Sequence, residues 1–263
     1  MCLGFIGAGN MATAILDGVV AKQLFAPEDI IISNPHVDKL EHPRSLGVQV
    51  TCNNCDVFEY SDLIILAVKP QMYELVLDGV ADTCAGKCIV SIAAGISTAW
   101  LRKRLPDCRI IRVMPNTPMQ LGVGATAIAE PEDVPGELFR LVCDIFSATG
   151  SIAVLPEAQM DAVIPVSGSS PAFFFRMVDV MVRWAESQGL DPQVSLELAA
   201  SAMKGSAEML LRSGKTAQEL TRQVCSPGGT TLAALSAFDD QDFDSIVVDA
   251  MNRCTQRSKE LGK

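Results

Sequence analysis

The chain has 263 residues, a net charge of −10 and a hydrophobic share of 49%. An acidic chain repels phosphate backbones, which argues against a nucleic-acid partner. No stretch reaches the roughly 20 apolar residues that span a bilayer, so no membrane partner is expected either. The aromatic share is only 5%, which leaves the core to Ala, Val, Ile, Leu and Met, in one large domain or two modest ones.

Leu3–Ile6 is a short apolar run ending at Gly7, and a helix is predicted from Met11 to about Lys22. The N-terminus has no basic region of the kind that opens a signal peptide, and a Gly-rich turn interrupts it at once. Ile30–Ile32 reads as a second strand closed by Ser33-Asn34-Pro35, and Val48–Thr51 as a third. Leu63–Val68 is the strongest strand, closed by Lys69-Pro70, where a helix begins. Cys88–Ile92 and Arg109–Met114 follow, stopped by Ala93-Ala94-Gly95 and Pro115. These are continuous apolar runs between helical segments, the pattern of a mainly parallel sheet covered on both faces. A further strand pair is expected at Gly124–Ala129 and Ser151–Val154.

After about Pro156 the strand-like runs nearly disappear. Helices are predicted over 157–164, 170–188, 192–213, 216–224, 229–237 and 241–261. The expected organisation is an α/β Rossmann-type domain over 1–156 and an all-helical domain over 157–263. The helical half is apolar on more than one face, as in Ala172–Met181 and Leu196–Met209, so it is expected to bury that surface against a second copy.

Nine cysteines are spread over the chain: Cys2, Cys52, Cys55, Cys84, Cys88, Cys108, Cys143, Cys225 and Cys254. An odd count in a chain of this size argues against a disulfide framework. Cys52-x-x-Cys55 with Cys84-x-x-x-Cys88 imitates a zinc spacing, but free thiols acting as small hydrophobes fit better. A reducing, cytoplasmic compartment is expected, with no metal.

Gly7-Ala8-Gly9-Asn10-Met11-Ala12 follows a strand and opens a helix, the context a dinucleotide fingerprint requires. Gly7 permits the tight turn, Gly9 lets the backbone approach a pyrophosphate, and Ala12 allows close helix–strand packing. The helix start offers free N–H groups. At the end of the second strand, Ser33-Asn34 stands where an NAD site places an acidic residue on the ribose diol. A neutral hydroxyl and amide leave room for a 2′-phosphate, which points to NADPH, with NADH as an alternative donor; His36 and Lys39 are the nearest cations. Ala67, Val68, Lys69 and Pro70 are expected to line the cleft at the end of the fourth strand. Asn116, after a later strand, is a candidate for the nicotinamide amide.

The helical half carries Val224-Cys225-Ser226-Pro227-Gly228-Gly229-Thr230-Thr231-Leu232. The Pro-Gly-Gly turn exposes N–H groups at a helix start, and Ser226, Thr230 and Thr231 add hydroxyls. This arrangement suits a carboxylate, though an ordinary capped turn has the same outline. Carbonyl reduction needs a general acid, yet His36 and His42 lie near the adenosine end. The helical half has neither His nor Tyr, and its lysines (Lys204, Lys215, Lys259, Lys263) avoid the Gly-rich turn. A protonated imine accepts hydride without such an acid, so C=N fits better than C=O.

Taken together, Phe5–Ala12, Leu66–Pro70, Ser91–Gly95, Arg112–Pro118, Ser167-Gly168-Ser169 with Pro171-Ala172, and Ser226–Thr231 resemble the pyrroline-5-carboxylate reductase family nearly end to end. The resemblance implies NADPH bound through Gly7, Gly9, Asn10, Met11 and Ala12. Ser33 and Asn54 would lie near the adenosine ribose, and Ala67–Pro70 near the nicotinamide. It implies that Ser226, Gly229 and Thr230 hold the substrate carboxylate, with Gly228 in the same turn, and that Thr231 hydrogen-bonds the ring nitrogen of 1-pyrroline-5-carboxylate on its way to proline. It further implies an interlocked homodimer, with dimers assembling further. Two departures stand out: the family's Ser-Gly-Ser-Gly-Pro-Ala-Tyr is here Ser167-Gly168-Ser169-Ser170-Pro171-Ala172-Phe173, which bears on substrate size. Two alternatives stay open. A hydroxyacid dehydrogenase would carry a catalytic Lys where this chain has Arg176, and a non-catalytic NADP-binding paralogue would lack the Ser226–Thr231 anchor.

Overall fold

The computed structural model describes residues 1–80 and 83–262, so Lys263 lies outside the described residues. The strands are β1 (Leu3–Ile6), β2 (Ile30–Ser33), β3 (Gln49–Thr51), β4 (Leu63–Leu66), β5 (Cys88–Ser91), β6 (Arg109–Met114), β7 (Gly124–Ala129) and β8 (Gly150–Leu155). They form one sheet in the order β3-β2-β1-β4-β5-β6-β7-β8. The first six run parallel. The expected extra pair does form, but it runs against them: β7 is antiparallel to β6, and β8 is parallel to β7.

Alternation explains the continuous apolar runs. Leu3 and Phe5, Ile30 and Ile32, Leu63 and Ile65, Val90, and Ile111 face one core, which includes Ala12, Ile15, Leu16 and Val19 of the helix Asn10–Ala21. Ile6, Ile31, Ile64, Leu66, Ile89 and Ile110 face the other, with Val57, Phe58, Tyr73 and Leu101. The central strands carry apolar runs on both faces because each face has its own helical cover. Cys84, Cys88 and Cys108 are buried there as small hydrophobes, and all nine cysteines are free. Burial pushes the Cys88 thiol up to about 12, which keeps it neutral.

The strand order turns back between β1 and β4, so the carboxyl ends of these two strands flank the switch point where such sheets bind ligands. Among the described residues no helix is long and apolar enough to cross a membrane, and no three His, Cys, Asp or Glu side chains converge as metal ligands.

The chain divides into two compact units, one of Met1–Pro171 with Arg253–Lys263 and one of Ala172–Asn252. The sequence texture changes at Pro156, whereas the contacts divide after Pro171. The reason is a polar cluster under the sheet unit. Arg112 on β6 is buried, and it pairs with Glu157 at 3.4 Å and Asp161 at 2.6 Å. Ser258 donates to Asp161 at 3.0 Å, which ties the end of the chain to the same group.

The second unit is helical throughout. Its helices are Pro192–Arg212, Ala217–Gln223 and Thr230–Asp240, with most of Ser170–Ser187 and Phe243–Leu261. Asp191 caps the first by accepting from Val194 N at 3.0 Å, with Pro192 at the next position. Thr216 and Glu219 form a reciprocal capping box on the second. The apolar side chains of this unit stay largely uncovered: Phe175 and Trp184 are each 66% exposed and Leu211 81%.

Candidate active site

The Gly7–Ala12 turn is built as its sequence requires. Gly7 has φ +98°, and a Cβ there would meet Val68 Cγ1 at 2.9 Å and Ala67 O at 3.0 Å. Only glycine fits both the left-handed backbone and the contact with the β4 loop. Gly9 is the opposite case: an added Cβ would touch nothing within 4 Å, so the backbone lies open to a ligand. Gly9 caps the helix Asn10–Ala21 without any side-chain hydrogen bond. The first N–H groups of that helix, from Asn10, Met11 and Ala12, lack a side-chain cap and form an anion cradle. Ala8 and Ala12 are buried behind them. An open glycine before an uncapped helix start fits a dinucleotide pyrophosphate.

The β4 loop is brought to this turn. Ala67 N donates to Ile6 O at 2.9 Å, and Val68 lies against Gly7. Lys69 is exposed, and Pro70 opens a short 3-10 turn, Pro70–Met72, before the helix Tyr73–Leu77. Beneath them Tyr73 is fully buried; its hydroxyl donates to Leu66 O at 3.0 Å and meets Ser91 Oγ at 2.9 Å. Burial raises this phenol well above its usual range, so it stays a neutral clamp between the ends of β4 and β5.

At the end of β2 the roles differ from expectation. Ser33 is completely buried, and its hydroxyl donates to Asn54 Oδ1 at 2.7 Å. It therefore orients Asn54 and presents no hydroxyl of its own. Asn34 is partly exposed, and its Oδ1 accepts from His36 N at 2.9 Å in a local turn. The partly exposed amides of Asn34 and Asn54 are the groups left at this end, and neither is acidic.

Asn116 is also placed differently. Its Nδ2 donates to Ser167 O at 3.0 Å and its Oδ1 accepts from Ala125 N at 2.9 Å, with the residue 8% exposed. Both ends of the amide hold backbone, so the side chain braces the chain on two sides. The segment it braces, Ile164–Gly168, is a π-helical turn that periodicity did not foresee. Ser170 turns its hydroxyl back to Val166 O at 2.7 Å, while Phe173 and Arg176 are exposed on the helix Ser170–Ser187.

In the helical unit, Ser226-Pro227-Gly228-Gly229 forms a turn closed by Gly229 N to Ser226 O at 2.9 Å, with Gly228 at φ +69°. Proline second and a left-handed glycine third is the type II pattern. Gly229 caps the helix Thr230–Asp240 with no side-chain bond. A Cβ on Gly229 would collide with Ser226 Oγ, which places that hydroxyl at the helix start. Ser226, Gly228 and Thr230 are exposed, and Thr231 is partly so. Uncapped N–H groups and the Ser226 hydroxyl are thus gathered by one turn, with Thr230 and Thr231 opening the helix, an arrangement that can hold a carboxylate without a cationic side chain.

The strand order and the Gly7–Ala12 turn define the first unit as a Rossmann-type α/β fold. Residues 157–261 match the family described as pyrroline-5-carboxylate reductase dimerisation, and residues 2–95 match NADP oxidoreductase coenzyme F420-dependent. The pyrroline-5-carboxylate reductase of Synechocystis sp. is 37% identical over 262 residues, covering 99% of this chain and 98% of that protein. The one from Haemophilus influenzae is 38% identical over 263 residues, covering 98% and 97%. Among solved structures, Plasmodium falciparum pyrroline carboxylate reductase with NADP bound has a TM-score of 0.92 at 27% identity, covering 100% of this chain and 98% of that one. The chain belongs to the pyrroline-5-carboxylate reductase family.

Proposed function

We propose that the protein reduces 1-pyrroline-5-carboxylate to L-proline with NADPH, the last step of proline synthesis. The observation that carries this reading is the Ser226–Thr231 turn. It is an uncapped, hydroxyl-lined anion site in a helical half that has no His or Tyr to act as an acid.

The Gly7–Ala12 turn holds the pyrophosphate, Asn34 and Asn54 the adenosine ribose end, and Ala67–Pro70 border the nicotinamide. When bound, the reduced nicotinamide supplies the hydride. Ser226, Gly228, Gly229 and Thr230 hold the substrate carboxylate by hydrogen bonds alone. Thr231 takes the ring nitrogen and fixes which face of the imine is presented, so catalysis is largely orientation. The imine arrives protonated, so its carbon accepts the hydride and the nitrogen keeps its proton. The absence of an acidic residue at the end of β2 supports NADPH over NADH. The uncovered apolar helices support a homodimer, with further assembly of dimers built on it. Nine unpaired thiols support a cytoplasmic location.

Thr231→Ala tests the assignment. Turnover is expected to fall about tenfold to hundredfold while NADPH affinity stays unchanged. Full activity in this variant would remove Thr231 from the mechanism.

A further inference from the structure

The carbonyl of Ser167 has an unusual partner. In a regular helix it would accept from the N–H four residues on, but that residue is Pro171, which has none. Asn116 Nδ2 supplies the missing donor at 3.0 Å from outside the helix. The same amide accepts from Ala125 N at the start of β7, and Met114, at the end of β6, has its Cε 2.5 Å from where a Gly168 Cβ would lie. The π-turn Ile164–Gly168 is thus held on one side by a side-chain amide, and on the other the end of the Met114 side chain lies close against Gly168. On the other side of Asn116, the turn Thr117–Leu121 packs on the helix Asn10–Ala21, whose start forms the cofactor cradle.

We propose that Asn116 is a positioning residue for hydride transfer. It fixes the Ser167–Ser169 turn against the carboxyl edge of the sheet, so that this turn and the cofactor cradle keep one spacing. The inference rests on the reading of that edge as the nicotinamide end. Pro171 makes the arrangement conditional, because without the Asn116 donor the Ser167 carbonyl cannot turn to the N–H four residues on. A wall that drifts widens the range of nicotinamide poses and slows the chemical step without loosening the pyrophosphate.

Asn116→Asp keeps the shape and the acceptor for Ala125 but removes the donor to Ser167. Three quantities are read: amide hydrogen exchange over 164–172, NADPH affinity, and kcat with its deuterium isotope effect from NADPH deuterated at C4. The expected result is faster exchange at the turn, NADPH affinity within about twofold, and kcat lower by about tenfold to hundredfold, with an isotope effect at least as large as in the unaltered protein. Adding Pro171→Ala restores an N–H four residues after Ser167, and part of the lost kcat is expected to return. A purely structural role would instead lower melting temperature and NADPH affinity together and gain nothing from Pro171→Ala, which would overturn the proposal. Unchanged exchange with unchanged kcat would overturn it as well. If Asn116→Asp does not fold, Asn116→Ser, whose short side chain leaves the Ser167 carbonyl without its donor, must show the same pattern; normal kcat there would overturn the proposal. If the unaltered protein turns over no imine, the functional reading fails by itself, and the exchange measurement still decides whether the brace exists.

Discussion

Two glycines two residues apart do different work. Gly7 is fixed by its own fold, through φ +98° and the contact with Val68 and Ala67, whereas Gly9 is fixed by nothing inside the protein. Gly7→Ala is therefore expected to destabilise the protein by about 1–2 kcal/mol in denaturant unfolding, the usual cost of a left-handed backbone with a Cβ. Gly9→Ala is expected to unfold like the unaltered protein but to bind NADPH at least about tenfold more weakly, because its methyl group fills the pyrophosphate approach. Normal affinity in Gly9→Ala would show that the cofactor does not pass there. The tight turn at Gly7 and the helix start after Gly9 were legible in the sequence, since strand, turn and helix each leave a local signature. The roles of Ser33 and Asn116 were not. Their side chains face partners 21 and 51 residues away, and spacing carries no information on which way a side chain turns. Pro171 was the one available signal, and only because a helical turn precedes it: where a helix continues through a proline, the carbonyl four residues earlier needs another donor.

The strands were legible as elements because apolar side chains on both faces leave unbroken runs, and β6 and β7 match their expected limits, Arg109–Met114 and Gly124–Ala129. The direction of β7 was not, since a buried strand reads the same either way along the sheet, and β8 follows β7 at the edge. The π-turn escaped because two prolines, Pro165 and Pro171, remove N–H groups from a stretch whose apolar spacing still looks helical. The compact units divide later in the chain than the change of texture, for a similar reason. Residues 157–171 look like part of the helical half, but Glu157 and Asp161 are held by Arg112 of β6. Arg112→Ala would leave both carboxylates without their buried partner. A loss of about 3 kcal/mol in unfolding free energy is expected, at the low end for breaking a buried pair because both carboxylates keep some solvent. A loss under about 0.5 kcal/mol, the size of an ordinary surface substitution, would mean the cluster does not hold these segments together.

At the scale of the whole molecule, the helical unit Ala172–Asn252 cannot close a core of its own. Phe174, Phe175, Trp184, Leu198, Leu211 and Ile246 are each about half or more exposed in the single chain. Side chains of this kind on several helices mark a surface made for another copy. Light scattering is expected to give at least twice the 28.1 kDa chain mass, and Trp184→Glu is expected to shift the population toward smaller species. A stable monomer in the unaltered protein would contradict this.

The central claim is that the protein reduces the carboxylated imine 1-pyrroline-5-carboxylate by hydride transfer from NADPH. Its most direct test is to supply the protein with 1-pyrroline-5-carboxylate and NADPH deuterated at both C4 positions, and to locate the label by mass spectrometry and NMR. The account predicts L-proline carrying one deuterium on the ring carbon beside nitrogen that does not bear the carboxylate. Folded protein that binds NADPH yet yields no deuterated proline would contradict it.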